Sequence, residues 1–586
     1  MEQMIKLTID GRPVEVPAGS TVLDAARQGG IEIPTLCFME RINEIGACRV
    51  CVVEIEGFRT LQASCVLPAR DGMVVKTSTR AVREARRTNV ELMLSNHPSS
   101  CLTCARNITC ELQKLARDLN VDEVAFAGEK GEWPLDLSNP SLVRDPNKCI
   151  LCRKCIAVCH EIQGIGVISA AERGFATVVS VDGNRSLGIS TCTYCGQCAA
   201  VCPTGAITEV DDTDRVFRAL EDTRHTVVQV APAVRVAIGE EFGLSPGTVS
   251  TGQLVTGLRM LGFDAVFDTD FAADLTILEE AHELITRVKE GGALPLITSC
   301  SPGWVKYVEH NHGDFLPNVS SCKSPQQMMG ALIKTYYAER IAKLPPSQIF
   351  SVSVMPCTAK KYEALRPEMF RDGRADVDAV ITTRELARMF KQAGIDLGKL
   401  PAGEFDLPLG ISTGAAVIFG ASGGVMEAAL RTAYEWISGQ ALHQVDLVAV
   451  RGLEGVKEAE VDVPGLGIVR VAVASGLANA REVLRRVKSG EASYHFVEIM
   501  ACPGGCLGGG GQPRAVGMSG EEAKQYRLQG IYSIDRQQSL RKSHENPAVK
   551  KLYEDFLGEV GGELPHSILH THYSDRGRFP WRKSRA

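Results

Sequence analysis

The chain of 586 residues is long enough for several domains, each with its own apolar core. A net charge of -6 and a pI near 6.1 provide no large basic surface, which excludes nucleic acid as a partner. The first residues contain no apolar signal-peptide core, and no stretch reaches the roughly 18 apolar residues of a membrane-spanning helix. We therefore expect a cytoplasmic protein without a membrane partner.

The cysteines are concentrated in the first part of the chain. Of the 20 cysteines, 15 lie between Cys37 and Cys202, and five lie beyond. Repeated CxxC spacing in a long intracellular chain indicates metal binding rather than disulfides. Short CxxCxxC runs suit iron-sulfur clusters better than separate disulfides, and we expect iron-sulfur clusters ahead of structural zinc.

Residues 1–80 begin with two alternating runs around Asp10-Gly11, which predict a β-hairpin. Thr21 and Asp24 have the spacing of a capping box at the start of a helix. Four cysteines follow the helix: Cys37, Cys48, Cys51 and Cys65. This order resembles the β-grasp fold of plant-type ferredoxins, which carry a [2Fe-2S] cluster. The long first interval is similar to the N-terminal domain of the large iron-sulfur subunit of respiratory complex I, although GACRVC alone could also be a zinc knuckle.

Residues 81–120 contain NHPSSCLTCARNITCELQ, in which one imidazole precedes three thiols. The four candidate ligands are His97, Cys101, Cys104 and Cys110. The stretch resembles the [4Fe-4S] module of the same complex I subunit, which is held by one histidine and three cysteines. Because an imidazole replaces one thiolate and removes its negative charge, we expect a raised reduction potential.

Residues 139–212 hold an internal repeat, CILCRKCIAVC and CTYCGQCAAVCP, with equivalent positions 43 residues apart. Each copy has the bacterial CxxCxxCxxxC spacing, whose fourth cysteine ligates the other cluster. One [4Fe-4S] cubane is therefore predicted on Cys149, Cys152, Cys155 and Cys202. The second is predicted on Cys192, Cys195, Cys198 and Cys159. With the one-histidine module, these make three accessory [4Fe-4S] clusters.

From about residue 220 the composition is typical of an α/β domain. Three β-prone runs, ALPLITSC, FSVSVMPC and YHFVEIM, each deliver a cysteine near the point where a strand would end. The last run is followed by Cys502, Cys506 and a stretch of four glycines. Ligands of α/β sheets bind at the carboxyl edge of the strands, so these runs predict thiolates that converge on a cofactor site at the edge of one sheet.

These stretches resemble a known family. TSCSPGW, MPCTAKKYE and EIMACPGGCLGGGGQP are similar to the three signatures of the [FeFe]-hydrogenases, and APAVR and KSPQQ match two further stretches of that family. The resemblance implies an α/β domain that binds the H-cluster over residues 220–518. Residues 522–575, with LHTHY near their end, resemble the small helical element that wraps that domain.

The resemblance implies the H-cluster as cofactor, a [4Fe-4S] cubane joined through one cysteine sulfur to a di-iron unit with CO, cyanide and a bridging dithiolate. By position in the signatures, Cys506 would be the shared thiolate, and Cys357 and Cys502 would be further cubane ligands. Lys360 would donate to a cyanide of the di-iron unit. Four other residues would line the site: Pro232, Gln326, Met355 and Met500.

The resemblance also implies a proton relay from the cluster to the surface. Its members would be, in order, Cys300, Glu280, Ser320 and Glu283. The two glutamates stand three residues apart on a predicted helix over 275–289 and therefore share one face. From the residues alone, such a pair is also typical of a solvated helix face.

One position departs from the family pattern. The first signature usually carries two adjacent cysteines, and the second of them is Ser301 in this chain. An alkoxide is a poorer ligand than a thiolate for iron in such clusters. Cys322 has no other role, so we predict that it is the fourth cubane ligand. The rival hypothesis has Cys300 as the ligand, Ser301 as the proton carrier and Cys322 as a small buried thiol.

The resemblance therefore implies the catalytic subunit of a multi-subunit hydrogenase, which would catalyse reversible H2 oxidation and proton reduction. No GxGxxG follows a strand, so a flavin and NAD(P) would bind a partner subunit, with a small [2Fe-2S] subunit and ferredoxin as further candidate partners. Three alternatives stay open: a stand-alone ferredoxin-dependent hydrogenase, a sensory hydrogenase and a non-catalytic protein that assembles or carries iron-sulfur clusters.

Overall fold

The first module is a five-stranded mixed sheet with one helix packed against it. In the computed structural model, which describes residues 3–181 and 183–578, Asp10 and Gly11 adopt positive φ and form the tight turn of the predicted hairpin. The spatial order of the strands is Arg12–Pro17, Met4–Ile9, Val74–Lys76, Val52–Ile55, Gln62–Ala63. Both halves of the predicted capping box are present at the start of the helix Val22–Gln28.

A long helix, Arg80–Ser95, leads from this sheet to the second module. The Thr79 side chain accepts from the Val82 N–H and so caps the start of the helix. A short turn over Cys101–Thr103 and the helix Glu111–Asp118 follow. The cysteines of this module therefore lie on tight loops between helices.

The third module shows the sequence repeat as a repeat of backbone geometry. Arg153 and Gly196, which are equivalent positions, both adopt the left-handed conformation just before the helices Lys154–Ala157 and Gln197–Val201. A π-helical stretch, Val158–Ile162, continues the first helix. Two antiparallel ladders flank the helices and pair Leu142–Arg144 with Ile207–Glu209 and Ile168–Ala171 with Val178–Val181.

The hydrogenase-like domain contains two four-stranded sheets, whereas the sequence predicted that the thiolates converge at the edge of a single sheet. The first sheet is parallel, in the order Ala265–Asp268, His225–Val230, Ile349–Met355, Ala379–Thr382. The second sheet has the order Leu296–Ile297, Phe496–Met500, Gly467–Ser475, Val456–Val463 and is antiparallel only at the last pair. Because the strands before the cysteines are short and apolar, their pattern could not reveal that they belong to different sheets.

Helices cover both sheets. The longest of these, Thr269–Glu290, contains the predicted helix over 275–289 and begins six residues before it, where the Asp268 side chain accepts from the Asp270 N–H. Its first half is buried on all sides. The main other helices of the domain are Thr251–Leu261, Pro302–Asn311, Pro325–Leu332, Thr383–Gln392, Gly424–Ser438 and Leu477–Lys488.

The C-terminal element is helical, as predicted, and packs against the hydrogenase-like domain. Its helices are Gly520–Gln537, Pro547–Leu552 and Glu563–Leu569. Most of the predicted basic tail lies outside the described residues, which end at position 578. Within the described ranges, every helix is too short or too polar to cross a membrane.

Candidate active site

The predicted cysteine-bearing strand ends meet at one cavity between the two sheets. Cys357 follows a strand of the first sheet, and Cys300 and Cys502 follow strands of the second. All three line the same cavity, together with Cys506. The structure therefore brings together thiols that are up to about two hundred residues apart in the chain.

The glycine-rich stretch after Cys506 closes one side of this cavity. A Cβ atom on Gly509 would stand 2.2 Å from the backbone oxygen of Pro356, and one on Gly510 would stand 2.5 Å from that of Cys195. Only residues without a side chain allow the backbones to approach so closely. The glycines thus pack the loop against two other cysteine-bearing loops.

The thiols of the cavity share a mostly apolar environment. Burial, followed by repulsion from Cys357, raises the pKa of Cys506 to about 12. Burial is also the main reason why the pKa values of Cys357 and Cys502 are raised. Such clustered sulfur donors match the soft, covalent sites that iron-sulfur groups need, so this donor set fits the predicted cofactor.

Lys360 lies in the cavity wall and is 8% exposed. Its Nζ donates to the Glu363 carboxylate at 2.9 Å and to the Cys300 backbone oxygen at 3.1 Å. Glu363 also accepts from Ser324 Oγ and Gln326 Nε2. The sequence prediction missed Glu363, although it is the last residue of MPCTAKKYE and lies three positions after Lys360.

The other predicted lining residues are where the resemblance places them. Pro232, Gln326, Met355 and Met500 all line the cavity. Phe419 and Ala273 line it as well and were not predicted. No motif could have revealed these two, because their helices carry no distinctive spacing.

Of the four predicted relay residues, Cys300, Glu280 and Ser320 are buried and Glu283 is half-buried. Ser320 Oγ donates to Glu283 at 2.8 Å, and Glu283 accepts from Arg287 at 2.6 Å. Neither carboxylate oxygen of the fully buried Glu280 has a partner in good hydrogen-bond geometry among the described residues, although the nearby Ser320 side chain and Ser299 backbone act to lower its pKa. Burial and repulsion by Glu283 raise the pKa of Glu280 to about 8. Burial is the main reason why the pKa of Cys300 is raised, and repulsion by the Glu280 carboxylate raises it further.

Cys322 is not where the sequence prediction needs it. It is fully buried in an apolar cluster with residues such as Phe271, Met328 and Leu569, and it does not line the cavity. The charges that act on its thiol belong to glutamates of the relay helix Thr269–Glu290. This arrangement does not bring Cys322 to the other three thiols and does not support its predicted role as the fourth ligand.

Ser301, by contrast, lines the cavity beside Cys300. Its Oγ accepts from the backbone N–H of Ala501, the residue before Cys502, at 3.2 Å. The Ser301 hydroxyl therefore lies at the loop that carries Cys502, a predicted cubane ligand.

The four cysteines of the first module are buried together. The sulfur atoms of Cys51 and Cys65 lie 3.3 Å apart. A hydrogen bond from the Cys37 thiol lowers the pKa of Cys48 to about 5. The structure thus brings the four predicted [2Fe-2S] ligands into one group.

The second module places its four predicted ligands around one cavity. His97, Cys101, Cys104 and Cys110 line one small cavity. The Nδ1 atom of His97 lies 2.9 Å from the Pro98 backbone oxygen, whereas the buried Nε2 atom has no hydrogen-bond partner among the described residues. Burial lowers the pKa of His97 and so favours the neutral form that ligates metals.

The third module places the repeated cysteines as the bacterial spacing predicts. One cavity is lined by the four thiols of the first predicted set: Cys149, Cys152, Cys155 and Cys202. Of the second predicted set, Cys159, Cys192 and Cys198 belong to one buried cluster. Burial raises the pKa values of Cys195 and Cys198, and repulsion by the other thiols of the set raises them further.

Hydrogen bonds join these modules to one another and to the cavity. The Asn43 amide donates to the backbone oxygens of Cys37 and Cys152. Thr358, next to Cys357, donates to the Tyr194 backbone oxygen at 2.7 Å. The candidate cluster sites therefore form a connected series from the first module to the cavity.

Comparisons with known proteins match every module. Residues 224–510 match the family described as iron only hydrogenase large subunit, C-terminal domain. The other matches are a 2Fe-2S iron-sulfur cluster binding domain at 2–80, an NADH-ubiquinone oxidoreductase-G iron-sulfur binding region at 86–125, a 4Fe-4S dicluster domain at 145–206 and an iron hydrogenase small subunit at 521–576.

Individual relatives agree with these matches. The NADP-reducing hydrogenase subunit HndD of Solidesulfovibrio fructosivorans is 51% identical, with 98% of this chain and 100% of the relative covered. Iron hydrogenase 1 of Clostridium pasteurianum is 40% identical over 97% of this chain and 100% of its own length. The solved structure of the [FeFe]-hydrogenase HydA1 from Chlamydomonas reinhardtii superimposes with a TM-score of 0.57 at 44% identity, covering 63% of this chain and 100% of that chain. The chain therefore belongs to the [FeFe]-hydrogenase family, as a catalytic subunit that carries iron-sulfur relay domains on the same polypeptide.

Proposed function

We propose that this hydrogenase exchanges electrons between H2 and NAD(P), which binds a flavin-containing partner subunit. The observation that carries the proposal is the cavity in which Cys357, Cys502, Cys506 and Lys360 meet, at the end of a connected series of cluster sites. The relative HndD is named as a subunit of an NADP-reducing hydrogenase, and this chain matches it over nearly its whole length.

The residues of the cavity would hold the H-cluster. When bound, this cofactor supplies the iron centre at which H2 is split or formed, while the protein attaches and orients it. Cys506 would be the thiolate shared by the cubane and the di-iron unit, and Cys357 and Cys502 would be cubane ligands. The Lys360 ammonium, held by Glu363, is placed to donate to an anionic group in the cavity.

The fourth cubane ligand would come from the loop at positions 300 and 301. The Ser301 hydroxyl lies at the loop of Cys502, whereas the Cys300 thiol is influenced by Glu280 and Lys360. These different surroundings support Ser301 as the fourth cubane ligand and Cys300 as the first proton carrier. Cys322 would then be a packing residue next to the relay.

Protons would move between the cavity and the surface through Cys300, Glu280, Ser320 and Glu283. With a pKa of about 8, Glu280 holds a proton at neutral pH and can give it up at small cost, as a general acid-base group requires. Arg287, whose side chain is 16% exposed, holds the outer carboxylate of Glu283 at the protein surface.

Electrons would pass through one [2Fe-2S] and three [4Fe-4S] clusters. The first two modules contact the cubane site of Cys149, Cys152, Cys155 and Cys202, because Asn43 bridges to Cys152 and the N–H of Glu111 donates to the backbone oxygen of Pro203. Both modules could therefore receive electrons from a partner. We propose a flavin and NAD(P) subunit and a small [2Fe-2S] subunit as these partners, in the cytoplasm.

Infrared spectroscopy of the purified protein tests the cofactor assignment. Bound CO and cyanide have bands in a region free of protein absorption, and their presence would identify the di-iron unit. A protein loaded with its full iron content that lacks these bands would contradict the proposal and favour a protein that assembles or carries clusters.

Purification through a tag on this chain tests the partner assignment. We expect a flavoprotein to accompany the chain and NAD(P)H to support H2 evolution by the complex. A chain that purifies alone, and that accepts electrons only from ferredoxin, would be a stand-alone ferredoxin-dependent hydrogenase instead.

A further inference from the structure

The C-terminal element is joined to the loop that carries the relay serine. An antiparallel bridge between Cys322 and His570 is flanked on each side by a backbone hydrogen bond of 2.7 Å. This short pairing begins two residues after Ser320, which donates to Glu283 in the proposed relay. The position of the relay loop therefore depends on the last described segment of the chain.

The ring of His570 makes a polar contact at each nitrogen. Its Nδ1 atom lies 2.8 Å from Ser321 Oγ, and its Nε2 atom lies 3.1 Å from a carboxylate oxygen of Glu279. The His570 side chain is 7% exposed and that of Glu279 is fully buried. Glu279 also accepts from the Tyr553 hydroxyl and the Gly561 N–H. With Nε2–H donated to this carboxylate, Nδ1 accepts the Ser321 hydroxyl proton.

Ser321 in turn touches the relay. Its backbone N–H lies 3.3 Å from the Glu283 oxygen that also accepts from Ser320. Glu279 and Glu280 stand four and three residues before Glu283, so both are neighbours of Glu283 on the helix surface. Glu283 is thus the junction between the relay and the contacts of His570.

We propose that His570 is a positioning residue of the proton relay, acting through Ser321. Its Nδ1 contact fixes the Ser321 side chain and, with it, the backbone that aims Ser320 at Glu283. The contact of Nε2 with Glu279 anchors the ring. The inference rests on the relay proposed above, and it makes the C-terminal element a working part of proton transfer.

Two amide variants separate the two contacts of the ring. In His570→Asn an amide atom takes the position of Nδ1 and keeps the contact with Ser321. In His570→Gln the amide takes the position of Nε2 and keeps the contact with Glu279. His570→Leu removes both. The full-length, cluster-loaded protein is assayed for H2 evolution with an artificial electron donor in excess, so that electron supply does not limit the rate.

We expect His570→Leu and His570→Gln to slow turnover about tenfold, because a slightly misplaced proton carrier lowers the rate strongly. His570→Asn should stay within about threefold of the unchanged protein. The slow variants should show a larger solvent deuterium isotope effect, since proton transfer then limits the rate, and their CO and cyanide infrared bands should be unchanged. His566→Ala is the matched control, because this exposed ring stacks on His570 and, within the described ranges, its side chain makes no hydrogen bond or ion pair with the relay residues.

A double-mutant cycle tests whether His570 acts through Ser321. Ser321→Ala should slow turnover by a similar factor, and adding His570→Leu should slow it no further. Multiplied losses, or a Gln variant that is faster than the Asn variant, would overturn the inference. Ser321→Ala keeps the experiment decisive if the His570 variants fail to fold.

Glu280→Gln in the same assay separates this inference from the relay itself. If Glu280→Gln is slow while Ser321→Ala and His570→Leu turn over normally, the relay stands and the role of His570 is refuted. If Glu280→Gln also turns over normally, the relay is wrong and His570 has nothing to position.

Discussion

The relay modules and the catalytic cavity hold iron ligands in opposite ways. In residues 139–212, all eight candidate ligands lie within two short runs, and the local backbone brings them together. In the cavity, Cys300, Cys357 and Cys502 come from three distant strand ends in two sheets. Each candidate relay cluster of this module thus takes its ligands from two short runs, whereas the catalytic site depends on strands from the whole domain.

The second module differs from the other candidate cluster sites in how its ligands meet solvent. Its thiols, Cys101, Cys104 and Cys110, are partly exposed, whereas the four candidate ligands of the first module are buried, and the cavity holds the buried Cys502 beside the partly exposed Cys357 and Cys506. A relay site near the surface suits electron exchange with a partner. The cavity between the two sheets instead needs dedicated carriers for protons, which agrees with the buried carboxylate of Glu280 in this region.

The largest expected effect separates the two regions directly. Cys506→Ala should abolish turnover, because it removes the thiolate that would attach the di-iron unit, and the CO and cyanide infrared bands should be absent. Cys104→Ala is the matched change in a relay module. It should leave H2 evolution with an artificial donor nearly unchanged while abolishing turnover coupled to NAD(P). Equal losses in both assays would show that the relay modules are not separate from catalysis.

Glu280→Gln should have the next largest effect. We expect H2 evolution to slow by roughly a hundredfold or more, the scale of losing a positioned proton carrier, with the infrared bands retained. Glu290→Gln, at the exposed end of the same helix, is the control and should behave like the unchanged protein. Normal turnover in Glu280→Gln would remove the relay as assigned.

Much of the fold was predictable wherever a local rule decides it. The Asp10-Gly11 turn, the capping box of Thr21 and the helices of the C-terminal element agree with the prediction. The division of the hydrogenase-like domain into two sheets was not predictable. Apolar strands of two to seven residues, such as Leu296–Ile297 and Ile349–Met355, pair with any similar strand, and only tertiary packing selects the partner.

The candidate site, too, was predictable only where a sequence motif marks its residues. The resemblance to the family signatures located Cys357, Cys502 and Lys360, and all three line one cavity in the structure. The prediction for Cys322 finds no support in the structure, because its sequence position near a signature does not determine which way its side chain faces. It is fully buried in an apolar cluster and is not among the residues that line the cavity.

Variants of Ser301 and Cys322 should have smaller effects than those of Cys506 and Glu280, and they separate a proposed ligand from a packing residue. Ser301→Ala should weaken the H-cluster cubane and lower the iron content, whereas Ser301→Cys should keep the cubane and change its electron paramagnetic resonance spectrum, because a thiolate is a softer ligand. Cys322→Ala should leave that spectrum unchanged and keep turnover within about threefold, since it removes only packing atoms. Loss of the cubane signal in Cys322→Ala would restore Cys322 as a ligand.

The smallest expected effect concerns stability and pH. Glu280 has a pKa of about 8 in the folded protein, because burial and Glu283 disfavour its charge, against about 4.3 in an unfolded chain. The folded state therefore keeps a proton that the unfolded chain releases. The stability contributed by neutral Glu280 is fully present below about pH 4.3 and is lost as the pH rises through about 8.

Glu280→Gln cannot ionise, so its melting temperature should fall less than that of the unchanged protein between pH 6 and pH 8.5. We expect the difference to be about 2–4 °C in calorimetry of the cluster-loaded protein. Asp274, whose pKa burial raises to about 7, remains in the variant and should preserve part of the fall. An identical pH dependence in both proteins would mean that Glu280 is ionised in the folded state and cannot hold the proton that the relay requires at neutral pH.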